Sequence, residues 1–352
     1  MPMRSYDIAQ YGAPLERFDR ATPEPRGTEV LVRVSAAGVC HSDLHIWEGY
    51  FDLGGGKKLT MASRGMKLPH TLGHETAGEV AALGPEAQGL ALGQRCLVYP
   101  WIGCGKCEVC SAGEEQLCLQ PRFLGVHAAG GYSDRILVPH PRYLLDISDM
   151  PAAVAAPYAC SGLTTYGALR KLGPLLAERP VVVIGAGGLG LMCLALHKAM
   201  KGKGAIAVDI DPAKCQAARS AGALAAIDAS APGAVEAIKA AAGGTVSAAI
   251  DLVGSSASAS LALECLTKGG KLIVVGLFGG EITLPLPTIP QRALTIQGSY
   301  VGSLGELKEL LALVRRQQVP PIPMRARPLA EAASALADLK AGRVVGRTVL
   351  TP

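Results

Sequence analysis

The chain has 352 residues, 49% apolar and 18% charged, which describes two compact domains around a substantial core and excludes a disordered polymer. A formal net charge of +5, spread along the chain, excludes an electrostatic nucleic-acid footprint. Met1 to Asp7 resembles no signal peptide and no run of eighteen apolar residues occurs, so the expectations are a cytoplasmic protein with no membrane partner and ten reduced cysteines.

Residues 29–37 are β-branched and partly alternating, and read as a strand that delivers Gly38-Val39-Cys40-His41-Ser42-Asp43-Leu44-His45 to its end. A thiol, a hydroxyl, a carboxylate and two imidazoles in eight residues make a candidate site. Trp47 to Leu72 shows no clear period and reads as an irregular segment with Gly54-Gly55-Gly56 inside it. It also carries a basic cluster, Lys57, Lys58, Arg64 and Lys67, which reads as a solvated face rather than a site for an anionic partner. Gly73-His74-Glu75 opens another strand over 76–82, and further short strands are expected at 95–99 and 132–138.

Between these strands Cys104, Cys107, Cys110 and Cys118 form C-x2-C-x2-C-x7-C. Four thiolates can enclose one Zn²⁺ tetrahedrally, and with every position filled the ion is structural. One Lys and three Glu lie between the first and last cysteine, a charge that opposes phosphate and so a nucleic-acid ribbon.

From about residue 152 strands and Ala-rich helices alternate. Residues 180–184 run into Gly185-Ala186-Gly187-Gly188-Leu189-Gly190 and an apolar helix, a turn whose glycines admit a pyrophosphate at the helix start. The next strand, 205–208, ends at Asp209, nineteen residues beyond Gly190, where a carboxylate accepts from the adenosine ribose and repels a 2′-phosphate. NAD is therefore the expected cofactor, with Lys214 nearby as the one cationic contact for NADP. Helices at 212–221, 234–241 and 257–266 and strands at 224–227, 246–251 and 271–275 demand a doubly wound parallel sheet. Further strands are expected at 282–284 and 294–297, then helices at 304–316 and 329–341 and a last strand at 344–350.

On Cys40 to Asp43, Gly73-His74-Glu75, the four-cysteine lobe and Cys160 ahead of the glycine turn, the whole chain resembles the zinc-dependent alcohol dehydrogenases of the medium-chain dehydrogenase/reductase superfamily. The resemblance implies an α/β fold: a GroES-like mostly-β catalytic domain over 1–152, a Rossmann domain over 153–298, and 299–352 returning to complete the first. It implies a catalytic zinc on Cys40, His74 and Cys160, with an open fourth position. Asp43 is expected to orient His74, Glu75 to lie near the metal as a transient ligand or modulator, and Ser42 with His45 to relay the proton. His41, Thr164 and Arg347 match positions that contact the coenzyme, the last at the pyrophosphate.

Thirty-four positions separate Cys40 from His74, more than compact relatives are expected to have, so an insertion begins and ends beside the site. Trp47, Tyr50 and Phe51 on it, with Trp101, are expected to line an apolar pocket for a medium-sized or aromatic alcohol or carbonyl. The implied protein is a homo-oligomer, a tetramer or a dimer. A related dehydrogenase of a polyol, amino-alcohol or hydroxyacyl-CoA is the alternative within enzymes, and a non-catalytic nucleotide-binding scaffold the alternative outside them, opposed by the complete three-ligand set.

Overall fold

A computed structural model describes residues 2–352. Its coenzyme half is a six-stranded all-parallel sheet in the order Ala225–Asp228, Ala205–Asp209, Val181–Ile184, Val246–Asp251, Leu266–Val274 and Thr295–Gly298. Buried on both faces, its inner strands are continuous apolar runs such as Val181-Val182-Val183-Ile184. The strand order reverses between Val181–Ile184 and Val246–Asp251, and a ligand crevice forms where the carboxyl ends diverge at that switch. The glycine turn leaves the first of these strands there. The expected strand at 282–284 does not form: Gly279, Gly280 and Pro285 bracket it and it finds no partner.

The other half is a seven-stranded sheet built on Val30–Gly38, which pairs antiparallel with Glu75–Leu83 and Arg135–Val138. The final strand, Arg347–Thr351, also lies antiparallel to Val30–Gly38, and Met324–Pro328 joins it in parallel. The end of the chain thus closes the sheet that carries its beginning. Met324–Pro328 is absent from the sequence reading because the proline-rich stretch before it masks the strand.

The segment 47–72 is ordered, which corrects the irregular loop expected there. Trp47 belongs to the helix His41–Glu48, ended by Gly49 at φ 88°, and Tyr50–Asp52 pairs with Lys58–Thr60 as a hairpin. Gly54 sits so close to the Gly280–Glu281 backbone that a Cβ would meet it at 2.9 Å. The hairpin tip therefore rests on the coenzyme half, and Met61 and Met66 anchor its return in the core.

Candidate active site

The strand Val30–Gly38 and the helix His41–Glu48 meet at Cys40, which caps the helix. Glu75–Leu83 brings His74 alongside, and Cys160 caps the helix Ser161–Arg170 at the inner face of the crevice. All three residues are buried, and one donor atom from each lies within 4.8 Å of the others. His74 Nε2 is buried with no hydrogen-bond partner. A buried nitrogen without a partner costs stability unless something occupies it, and this one belongs to a set of two thiols and an imidazole that fits a zinc ion.

The other face of His74 is held by Asp43, whose Oδ1 lies 3.2 Å from Nδ1. Asp43 Oδ2 accepts from the Cys40 N–H at 2.9 Å and from the Tyr132 hydroxyl at 3.1 Å. Burial works against a charged imidazole, yet Asp43 holds His74 well above its ordinary range, the mark of a strongly donating ligand. The Cys40 thiol is pushed well down, first by its hydrogen bond with Cys160 and then by the Arg347 and His74 charges, against burial.

Glu75 is not free to act as a ligand. Its carboxylate pairs with Arg347, through Nε at 2.9 Å and through Nη2, and Oε1 accepts from the Ser161 N–H at 3.0 Å. Gly38 is required beneath it, because a Cβ there would fall on Glu75 Oε2. Arg347 is therefore buried and paired rather than extended toward a phosphate, although its Nη1 lies 3.4 Å from where a Gly188 Cβ would stand.

Cys104, Cys107, Cys110 and Cys118 converge away from this centre. Their sulfurs stand 3.3 Å apart between Cys107 and Cys110, 3.8 Å between Cys107 and Cys118, and 3.9 Å between Cys104 and Cys110. A tetrahedron of bonds near 2.3 Å requires sulfurs about 3.8 Å apart, so the set fits zinc. The Cys104 and Gln120 N–H groups donate to Cys118 at 3.3 Å, and Glu115 ties the lobe to the Tyr143 hydroxyl at 2.8 Å.

At the crevice, Gly185 adopts φ 95°, and a Cβ on Gly190 would strike the Gly185 carbonyl, while nothing stands within 4 Å of one on Gly187. The turn is tight behind and open in front, which fits a dinucleotide phosphate. Asp209 Oδ2 accepts from the Ala186 N–H of this turn at 2.7 Å, and Lys214 is drawn to Asp211 at 3.7 Å. Thr164 is buried with an unpartnered Oγ1. Leu189, in the glycine turn, packs on the core.

Ser42 is half-buried in the first turn of its helix, and His41 is exposed. Phe278 of the coenzyme half lies 5.5 Å from the His41 ring and 6.3 Å from His45, and Phe51 lies 5.0 Å from His45. Burial lowers the His45 imidazole below its usual range. A cleft of about 530 Å³ opens past it, lined by Glu48, Tyr50, Asp52, Lys58 and Phe278.

Of the four aromatic residues expected around a substrate, only Trp101 reaches the metal set, its ring 5.3 Å from His74 and its Nε1 donating to the Ala159 carbonyl at 2.9 Å. Trp47 faces elsewhere: its Nε1 donates to Ala13 and Lys340 stands 4.9 Å above its ring. Tyr50 lies under Lys58 in the outer cleft and Phe51 against His45. The walls beside Trp101 are Phe123, at 5.3 Å, and Tyr300, at 6.4 Å. Neither stood out in the sequence, where they are single aromatics far apart.

Residues 26–149 match the alcohol dehydrogenase GroES-like domain and residues 188–316 the zinc-binding dehydrogenase domain. An NAD-dependent alcohol dehydrogenase of Sulfurisphaera tokodaii is 39% identical over 352 residues, covering 99% of this chain and 100% of that one. The crystal structure of the alcohol dehydrogenase of Aeropyrum pernix superposes with a TM-score of 0.89 at 31% identity, covering 99% of this chain and 100% of the other. Acetophenone reductase of Geotrichum candidum, solved with NAD, gives 0.85 at 26% identity over 100% of this chain and 97% of the other. No helix among the described residues is long and apolar enough to cross a membrane.

Proposed function

The chain belongs to the zinc-containing alcohol dehydrogenases of the medium-chain dehydrogenase/reductase superfamily, and we propose that it interconverts a medium-sized or aromatic alcohol with its aldehyde or ketone, using NAD. The observation that carries this reading is the three-donor set at the crevice, with the Trp101 ring against His74. That the relative from Geotrichum candidum is an acetophenone reductase supports an aromatic substrate.

When bound, zinc supplies a Lewis acid with one open position and NAD supplies the hydride acceptor. The protein does the rest. Cys40, His74 and Cys160 hold the ion, and Asp43 fixes the His74 tautomer so that Nε2 is the donor. Trp101, Phe123 and Tyr300 exclude water and orient the substrate body. Ser42 takes the hydroxyl proton and His45, which lines the outer cleft, releases it to solvent. The glycine turn and Asp209 seat the coenzyme, with Thr164 at its nicotinamide end.

Zinc-replete protein is expected to oxidise aromatic or medium-chain alcohols with NAD in preference to NADP. Removing the charge in Asp209→Gly should lower the NAD:NADP ratio of kcat/KM by about tenfold or more, because a 2′-phosphate then meets no carboxylate. Absence of turnover across a panel of alcohols and ketones would reject the reading, and an unmoved ratio would reject the role of Asp209.

We also assign a homo-oligomer. The strand Thr295–Gly298 is the outer strand of its sheet, with Ile296 41% exposed. An uncovered apolar edge invites strand pairing. Ile296→Lys is expected to lower the mass measured by light scattering to that of a smaller species. An unchanged mass places the interface elsewhere.

A further inference from the structure

Tyr132 belongs to no motif and precedes the strand Arg135–Val138, yet no part of it reaches solvent. A buried phenol costs stability unless its hydroxyl finds a partner. Here the partner is Asp43 Oδ2, at 3.1 Å. Burial, and then the Asp43 charge, push the phenol well above its ordinary range, so it remains a proton donor throughout the neutral range.

The rest of Tyr132 grips the turn that delivers His74. Its N–H donates to the Leu72 carbonyl at 2.9 Å, and its own carbonyl accepts from the Tyr6 N–H at 2.8 Å. Its ring lies against Gly73, which adopts φ 98° and where a Cβ would stand 2.5 Å from Tyr132 Cδ1. Only glycine fits there. The neighbouring Gly131 N–H donates to the Gly73 carbonyl at 2.8 Å. One residue therefore touches both sides of the orienting pair, the turn before His74 through backbone and ring and Asp43 through its hydroxyl.

Asp43 Oδ1 and His74 Nδ1 stand 3.2 Å apart and neither has another partner, so their interaction depends on how the carboxylate is turned. An aspartate carboxylate rotates in a broad, two-fold torsion and has no strong preference of its own. Two donors to Oδ2 pin it, the Cys40 N–H at 2.9 Å and the Tyr132 hydroxyl at 3.1 Å. The first belongs to the start of Asp43's own helix and moves with it. The second arrives from 89 positions further along the chain. We propose that Tyr132 is a positioning residue of the metal centre, locking the Asp43 carboxylate against the turn that bears His74 so that Nε2 stays aimed at the site shared with Cys40 and Cys160. This rests on the reading of those three residues as the zinc set of an alcohol dehydrogenase, and adds to it a residue that touches neither metal nor substrate.

Tyr132→Phe tests this, because it keeps the ring under Gly73 and deletes only the hydroxyl. Zinc at the three-donor set, competed with a chelator, is expected to bind about tenfold more weakly, the size of one hydrogen bond to a charged group, while the four-cysteine lobe keeps its affinity. With cobalt in place of zinc at the three-donor set, the visible d–d absorption should shift, since the imidazole is no longer held in one orientation. In zinc-saturated protein kcat should fall and the KM for NAD stay unchanged. In an Asp43→Asn background the same substitution should have little further effect, because Tyr132 acts through Asp43. Unchanged metal affinity with an unchanged cobalt spectrum, or an equal loss in both backgrounds, would overturn the proposal. So would an equal weakening of the four-cysteine lobe, which marks a general loss of packing. A parent protein that binds zinc at the four-cysteine lobe alone would instead overturn the reading on which the proposal rests.

Discussion

Cys160→Ala is expected to bind one zinc per chain where the parent binds two, and to lose alcohol oxidation by on the order of 10³-fold. The scale follows from a Lewis acid contributing several kcal/mol to charge stabilisation, at about 1.4 kcal/mol per decade of rate. The size of the loss depends on whether anything can replace the missing thiolate. Glu75, next to His74 in the chain, offers a carboxylate, but both of its oxygens are committed, to Arg347 and to the Ser161 N–H. Two donors, Cys40 and His74, would remain, too few for a site whose open position already belongs to substrate. The four-cysteine lobe shares no residue with this set and should keep its ion. Metal analysis beside steady-state kinetics decides the matter. Asp43→Asn gives the graded comparison: His74 stays in place with a weaker orienting partner, and activity or zinc affinity should fall by about 10- to 100-fold. A Cys160→Ala protein that keeps two zinc ions and its activity would remove Cys160 from the centre.

The four-cysteine set was legible from its own spacing, whereas Cys40, His74 and Cys160, spread along the chain, were named as one set only through the resemblance to a family. Cys104 to Cys118 span one loop, and Cys40 and His74 sit at the ends of strands whose alternation is plain. The coenzyme sheet was legible for a similar reason, since each strand and helix declares itself by its own period before any partner is known. What stayed hidden depends on partners distant in the chain. The hairpin Tyr50–Thr60 carries three successive glycines that erase its pattern, and its tip is held by Gly280 and Glu281 from the other half. Residues 282–284 show the converse, apolar enough for a strand but bracketed by glycine and proline and left without a neighbour. Phe123 and Tyr300 have no motif around them. They become pocket walls only when the fold brings them to Trp101. Trp47, attractive as an aromatic near the zinc ligands, lies on a helical face that turns it toward Ala13.

Glu75→Gln is expected to cost about 3–5 kcal/mol of stability, because it leaves the buried guanidinium of Arg347 without its counter-charge. The pair joins residues 272 positions apart and is solvent-free on both sides, with 4% and 0% of the side chains exposed. Four elements converge on it: the strand starting at Glu75, the closing strand starting at Arg347, the helix whose Ser161 N–H donates to Glu75, and the glycine turn at Gly188. Loss of the charge therefore loosens the sheet closure and the helix that Cys160 caps together. A fall in the thermal midpoint on the order of 10 °C should accompany it in zinc-replete protein. The double variant Glu75→Gln/Arg347→Met separates charge from shape, since it removes the unpaired cation while keeping a side chain of similar length. It should regain at least half of the lost stability in urea titrations, as buried ion pairs replaced as a unit commonly do. If the single variant is as stable as the parent, or the double variant is the less stable of the two, the pair is not the electrostatic clasp described. The KM for NAD supplies a second readout: the Arg347 side chain lies against Gly188, so disturbing its partner should raise that KM. A mere packing defect at Gly38 would leave it unchanged.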